Sequence, residues 1–399
     1  MRVLLITHAF GPDFSPPQRR WSSFVDTFLR QGIDVDVIAP RRRSDKNWDP
    51  FAAIPRTEKT GTGFFRAFQF SLKGGRWYSK LMVNFLMIGF MFPKALAAPK
   101  PDLLIVTVPA LPNLIAGYLI SRFRRVPLVL EMRDAWPELI VESGVIRNRL
   151  LEKLMVDFIR KLQHAASLTI TVTNGQASQL RADGSNNVRV VSNGYRFANL
   201  PRKRSHRNSS DGKLRVIYLG NLGESQGLSK VLDVAAVSQE WLELKIVGRG
   251  SASAQLMARA DQLGLTGVFE KPVKGDRVLE LYDWADTCLV SLRDDWPSFN
   301  YTVPSKLFEL AGFGAHISGL VVGEPAELIE RYRLGHTFHG DVVGISKSLH
   351  SKIAEIKDWK PQVDLSDDFI QRYDYDNLAL AYIDILNKHL KVLRNGDNA

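Results

Sequence analysis

The chain has 399 residues, 45% of them apolar and 24% charged, and a formal net charge of +11. That length is too great for one ordinary core and suits two domains of similar size, and the composition excludes a disordered or collagen-like chain. The positive excess favours acidic partners such as nucleotide or lipid phosphates; no zinc finger, basic zipper or aromatic RNA-binding pattern accompanies it, so nucleic acid is not expected as a partner.

The opening residues MRVLLITHAFGPDF read as a strand entering a loop, without the cleavage pattern of a signal peptide. No stretch reaches the ~18 apolar residues of a spanning helix. Strands are expected at Val3–Thr7, Val35–Ala39, Leu103–Val108, Leu128–Met132, Leu168–Val172 and Val188–Val191, separated by helical patterns near Pro17–Gln31, Leu111–Arg124, Arg149–His164 and Gln176–Arg181. Unbroken apolar strands alternating with helices imply a parallel sheet covered on both faces. Between these elements, Phe64–Lys94 is crowded with aromatic and long apolar residues, interrupted by Arg66, Lys73, Arg76 and Lys80. It is too short to span a bilayer yet apolar and basic enough to lie on one, so peripheral membrane contact is expected through about residues 64–94; a helix buried between domains or in a dimer contact is the other reading.

The basic, polar stretch Pro201–Gly212 breaks the pattern and marks a domain boundary, after which it restarts. Strands at Arg215–Leu219, Leu244–Val247, Val268–Glu270, Thr287–Leu292 and His316–Ser318 alternate with helices near Leu228–Ser238, Ala252–Leu263, Arg277–Trp284, Ser305–Gly312 and Ala326–Arg331. The single cysteine, Cys288, sits in an apolar run and reads as a core thiol. A long amphipathic helix near Tyr375–Leu393 closes the chain. The expectation is an α/β protein of two facing, doubly wound Rossmann-like domains: residues 1–200 binding the acceptor, 213–373 binding a nucleotide, and 374–399 crossing back to the first domain. Ligands in such folds bind beyond the carboxyl ends of the strands, where loops and helix N-termini present free N–H groups.

The motifs fall at those ends. In VPSKLFELAGFG, Ser305 is placed to cap a helix whose first turn holds Lys306, an unfavourable site for a cation unless an anion lies beside it. Glu309, one turn on, can accept both hydroxyls of a ribose; a solvated lysine and an intrahelical Lys306–Glu309 pair are the plainer readings. Gly220-Asn221-Leu222-Gly223-Glu224-Ser225-Gln226 follows a strand and admits close approach of a phosphate to the backbone, unless it is only a strand-to-helix turn. Gly248-Arg249-Gly250 imitates the start of a dinucleotide fingerprint, but Ser253 stands where the third glycine belongs, so Arg249 is assigned to a nucleotide-side loop rather than an NAD site. In the first half, Gly11 follows the first strand and Arg19 and Arg20 open the next helix, where they can neutralise phosphate or form a solvated basic turn. His8 is an acceptor-side candidate or a structural histidine. Glu131-Met132-Arg133-Asp134-Ala135-Trp136-Pro137-Glu138 concentrates charge after a strand, which suits acid–base or binding work, with Glu131 a possible partner of Arg133.

Together with Val190–Gly194 and Asp286, these segments resemble, in order and spacing, the GT-B glycosyltransferases of sequence family 4, and within it bacterial surface-polysaccharide enzymes acting on lipid-linked sugars. The resemblance implies a retaining transferase without metal or cofactor, taking a UDP- or GDP-linked sugar to a lipid-linked or saccharide acceptor on the cytoplasmic face of the plasma membrane. It implies donor contacts from Gly11, Gly220, Asn221, Gly223, Gln226, Arg249, Ser305, Lys306 and Glu309, catalytic roles for Asp134 and Lys306, and acceptor-side roles for His8, Arg19, Arg20, Arg133 and Trp136. Many members carry Arg and Lys where this chain has Asn221 and Gln226, and a second glutamate where it has Tyr301. A sugar-nucleotide epimerase of the same architecture and a non-catalytic binding subunit are the alternative readings.

Overall fold

The computed structural model describes residues 1–7, 10, 16–40, 63–67, 88–89, 91–108, 111–199, 212–360 and 367–396. Contacts divide the chain into two units, Met1–Ser192 with Tyr375–Ala399, and Asn193–Asp374. The first contains β1 (Arg2–Ile6), α1 (Pro16–Arg30), β2 (Asp34–Pro40), β3 (Gly63–Ala67), β4 (Leu103–Val108), α2 (Leu111–Arg124), β5 (Leu128–Met132), α3 (Glu138–Ser143), α4 (Arg149–His164), β6 (Leu168–Thr171), α5 (Asn174–Ala182) and β7 (Val188–Val190). The strands form a parallel sheet in the order β3-β2-β1-β4-β5-β6-β7. All six residues of β4 are buried, as expected of a strand covered on both faces. Alternate residues feed two cores. Val3, Leu5 and Ile105 pack against α1, and Leu4, Leu104 and Val106 pack against α2 and α4.

The second unit contains β8 (Leu214–Asn221), α6 (Leu228–Ala236), β9 (Leu242–Arg249), α7 (Ser253–Gln262), β10 (Phe269–Glu270), α8 (Asp276–Trp284), β11 (Thr287–Ser291), α9 (Lys306–Phe313), β12 (Ile317–Leu320), α10 (Glu324–Arg331), β13 (Gly335–Thr337), α11 (Val342–Ser351), α12 (Ile353–Lys357) and α13 (Asp367–Tyr373). Its parallel sheet runs β10-β9-β8-β11-β12-β13. The order reverses between β8 and β11, the topological switch point of a doubly wound sheet. Cys288 is buried in β11. The last helix, α14 (Tyr375–Gly396), belongs to the first unit, where Tyr382 meets Trp21 and Phe24 edge-on at 5.8 and 5.7 Å.

Three expectations change. The first unit's leading segment ends at Ser192 rather than at residue 200, because Tyr195 and Phe197 pack with the core of the second unit and the Phe197 amide donates to Asp374 at 3.1 Å. A strand that periodicity did not reveal, β3, pairs with β2 so that Phe64 lies opposite Val37 and Phe65 opposite Ile38. The stretch 64–94 is thus not an interfacial segment where it is described: 63–67 is a sheet edge, Met91 is wholly buried, and Ile88 and Phe92 pack on the same core. Residues 68–87 lie outside the described residues, as do those of the expected boundary at 201–211.

Helix α14 is tied to the sheet through buried His389. Asn187 Nδ2 stands 3.3 Å from His389 Nδ1, and His389 Nε2 stands 2.9 Å from Ser167 Oγ. An amide nitrogen can only donate, so Nδ1 accepts and Nε2 carries the proton. Burial, aided by nearby Arg189, holds the imidazole below its usual pKa. The unfolded chain therefore takes up this proton at higher pH than the folded one, and the contribution to stability is present above the ordinary histidine pKa and declines as pH falls through it. Unfolding followed from pH 8 to 5 should show a loss with a limiting slope of about 1.4 kcal/mol per pH unit from this group, and His389→Gln should flatten that part of the profile.

Candidate active site

In the second unit, β8 and β9 run in register to their ends, with Gly220 opposite Gly248 and Asn221 opposite Arg249. The loops beyond remain in backbone contact: Leu222 N–H donates to the Arg249 carbonyl at 3.1 Å, and Ala252 N–H to the Leu222 carbonyl at 2.9 Å. A Cβ on Gly250 would lie 2.2 Å from the Leu222 carbonyl oxygen, so glycine is required here by the approach of two loops. That explains why the segment imitates a dinucleotide fingerprint without being one. Ser253 Oγ fills the place of the third glycine by accepting from Gly250 N–H at 2.9 Å. Arg249 and Asn221 are left exposed side by side.

Gln226 folds back into its own loop. Its Oε1 accepts from Gly223 N–H at 3.0 Å and lies 3.5 Å from Asn221 Nδ2. The two positions at which the resemblance leads one to expect cations are here neutral and turned towards each other. Gly223 permits this, since a Cβ would stand 2.8 Å from both side chains.

Helix α9 buries Leu307, Phe308, Leu310, Ala311 and Phe313 and leaves Lys306 and Glu309 half-buried on the remaining face. Ser305 does not cap it: its backbone is already helical and its side chain makes no capping bond, so the expected capping role is corrected. Lys306 and Glu309 are linked through buried Tyr282 of α8. Lys306 Nζ donates to Tyr282 Oη at 3.2 Å, and Tyr282 Oη donates to Glu309 Oε1 at 3.3 Å. The phenol holds the carboxylate on this face. Tyr282 escaped notice in the sequence; the one clue was a hydroxyl-bearing aromatic at a core position of α8, where a buried phenol requires a partner. A cavity of about 590 Å³ lies at the carboxyl ends of β8, β11 and β12, lined by Gly223, Gly227, Ser291 and Leu320 among others. It opens beside α6 and α7, and neither Lys306 nor Glu309 lines it.

In the first unit, Glu131 is wholly buried and takes Arg20 Nε at 2.9 Å on one oxygen and Trp21 Nε1 at 2.6 Å on the other. The remaining Arg20 nitrogens donate to the carbonyls of Ser192 and Val191, the latter at 3.0 Å, and its guanidinium lies 4.3 Å from the Phe24 ring centre. Arg20 is therefore not an acceptor-side cation; every one of its nitrogens is engaged inside the domain. Glu131 pairs with Arg20 rather than Arg133. Arg19 is half-buried. His8 and Gly11 lie outside the described residues.

Beyond β5, burial lowers the Arg133 pKa against the opposing pull of Glu131, and its Nε has no hydrogen-bond partner among the described residues. Burial also raises the Asp134 pKa, and Arg133 partly offsets this. Two buried glutamines shape the turn: Gln176 donates to the Asp134 carbonyl at 2.7 Å and Gln163 to the Trp136 carbonyl at 3.0 Å. Gln176 is itself bonded to Thr171 Oγ1. Neither glutamine stands out in the sequence, since each lies on a helix distant in the chain. The turn includes a cis Trp136–Pro137 bond, and Trp136 packs half-buried against the core of α4.

Removing one partner of the buried pair leaves a charge without compensation. Glu131→Ala should destabilise the fold by about 3–5 kcal/mol, read by denaturant unfolding, whereas substitution of exposed Arg249 should change stability by about 0.5 kcal/mol or less.

Residues 17–194 match the family described as glycosyl transferase 4-like domain. A curated relative from Escherichia coli strain K12, named for colanic acid biosynthesis as the glycosyl transferase WcaI, is 23% identical over 380 residues, covering 90% of this chain and 91% of that protein. Among solved structures, sucrose-phosphate synthase from Thermosynechococcus elongatus superposes with a TM-score of 0.71 at 13% identity, over 98% of this chain and 99% of its own. Anabaena Alr3699/HepE in complex with UDP-glucose superposes with a TM-score of 0.70 at 15% identity, over 97% of this chain and all (100%) of its own. Two parallel Rossmann-like sheets with the ordered motifs at their carboxyl ends give the chain the GT-B fold of these structures, and residues 17–194 are similar to the glycosyl transferase 4-like domain.

Proposed function

We propose that this glycosyltransferase retains anomeric configuration and moves a sugar from a UDP- or GDP-linked donor to a lipid-linked or saccharide acceptor, in synthesis of a cell-surface polysaccharide or glycolipid on the cytoplasmic side of the membrane. The observation that carries the donor half is the Lys306–Tyr282–Glu309 chain at the start of α9. Glu309, steadied by Tyr282, is the group assigned to both hydroxyls of a ribose. Lys306, one turn earlier, places a cation where a diphosphate would relieve its conflict with the helix dipole. Arg249 stands beside Asn221 across the strand register and is suited to supply the positive charge that Asn221 and Gln226 lack. The names of WcaI, from colanic acid biosynthesis, and of a neighbour bound to UDP-glucose support the polysaccharide and uridine parts of this reading.

In the first unit, Arg133 and Asp134 are the acceptor-side groups, held by Gln176 and Gln163 through the backbone. A retaining front-face transfer needs no covalent nucleophile. Stabilisation of the leaving diphosphate by Lys306, Arg249 and loop N–H groups carries the chemistry. No metal or cofactor is required in this scheme.

Glu309→Ala should lose about 2–3 kcal/mol of charge-assisted hydrogen bonding to the donor, near a hundredfold in nucleotide affinity, measured by calorimetric titration with UDP and GDP. Unchanged affinity would remove Glu309 from the donor site. Incubation of each nucleotide sugar with the protein alone should leave the donor sugar unaltered; an epimerised product without acceptor would overturn the transferase reading.

A further inference from the structure

Gly223 follows β8 and precedes α6, at the switch point where β8 meets β11. Backbone amides in that place in a doubly wound sheet are the ones an anionic ligand approaches. Here the amide is already taken by the chain itself, since Gln226 Oε1 accepts from Gly223 N–H at 3.0 Å. The side-chain amide has only one workable orientation, because its NH2 turned to the same N–H would set donor against donor.

The backbone around this contact is held separately. Tyr218 Oη donates to the Asn221 carbonyl at 2.8 Å, Arg293 N–H to the Ser225 carbonyl at 3.0 Å, and Ser291 Oγ to the Gln226 carbonyl at 2.7 Å. Each of these bonds ends on a main-chain oxygen, so the loop keeps its path when the Gln226 side chain turns away. Such a turn breaks the bond to Gly223 N–H and the longer, 3.5 Å approach of Asn221 Nδ2. Both join uncharged groups. A phosphate oxygen in the same place makes a charge-assisted bond, roughly twice as strong.

We propose that Gln226 is a specificity-determining residue of the donor site: its side-chain carbonyl stands in for a phosphate oxygen on Gly223 N–H, and a donor binds by displacing it. This rests on the donor reading of the second unit. The exchange makes the loop selective for phosphate. A diphosphate replaces a neutral bond with a stronger one, whereas a nucleoside without phosphate gains nothing. It also sets a standing penalty of about two- to tenfold on donor affinity, the net worth of one neutral hydrogen bond.

The test is calorimetric titration of the full chain with UDP and with GDP, beside ligand-observed NMR titration with uridine and guanosine. Gln226→Ala frees the amide and should tighten diphosphate binding about two- to tenfold, with nucleoside affinity unchanged. Gln226→Glu places an anion on the amide and should weaken diphosphate binding at least about tenfold, again without effect on the nucleosides. Gln226→Met keeps the length of the side chain without its acceptor, and replaces the alanine variant should the unfolding midpoint of that variant fall. A purely structural cap predicts the reverse for both neutral variants, with diphosphate binding equal to the parent or weaker. That result overturns the proposal, as does an equal shift for nucleoside and diphosphate. In either case the donor reading stands if the parent binds a diphosphate and Glu309→Ala weakens it. No binding of UDP or GDP by the parent and by Gln226→Ala alike overturns both.

Discussion

The buried ion pair between Arg20 and Glu131 is the constraint on which the first unit turns. Two opposite charges have been removed from water, and burial is tolerable only because each further donor finds an acceptor. Trp21 completes Glu131, and the carbonyls after β7 complete Arg20. One pair thereby locks α1, β5 and the segment leaving β7 into a single arrangement. The strand that carries Glu131 is the strand from which Arg133 and Asp134 emerge, so the charged turn inherits its position from a wholly buried ion pair.

The second unit reaches a similar end by different means. Its loops are set by backbone contact, which glycine permits, and its charged helix face by a buried phenol. Gly250 lets Leu222 close on the loop after β9, and Tyr282 holds Glu309 and Lys306 on one face of α9. In both units the charged groups proposed for substrate are held by further polar residues: Gln163 and Gln176 in one, Tyr282 in the other. Positioning through a second layer limits the freedom of the first and so prepares the geometry before a ligand arrives.

The neutral loop at Asn221 and Gln226 shifts where positive charge is available. With those side chains neutral and turned towards each other, the cation directly across the strand register is Arg249.

Element types, the parallel sheets and the order of the motifs were legible in the sequence, because unbroken apolar runs of strand length alternating with helical periods have few other solutions. The limits of β4 and β5 follow directly from their apolar runs. The face on which Lys306 and Glu309 lie was legible too, since the apolar residues of α9 define its opposite side. What only the tertiary structure decided was the partner of each polar group. Arg20 and Glu131 are separated by 111 residues and Gln176 and Asp134 by 42, so neither bond has a local signature. Edge strand β3 was missed because its pairing with β2, not its own pattern, makes it a strand. Sequence periodicity records which side of an element avoids water; which charge a buried charge meets depends on distances that exist only once the chain has folded.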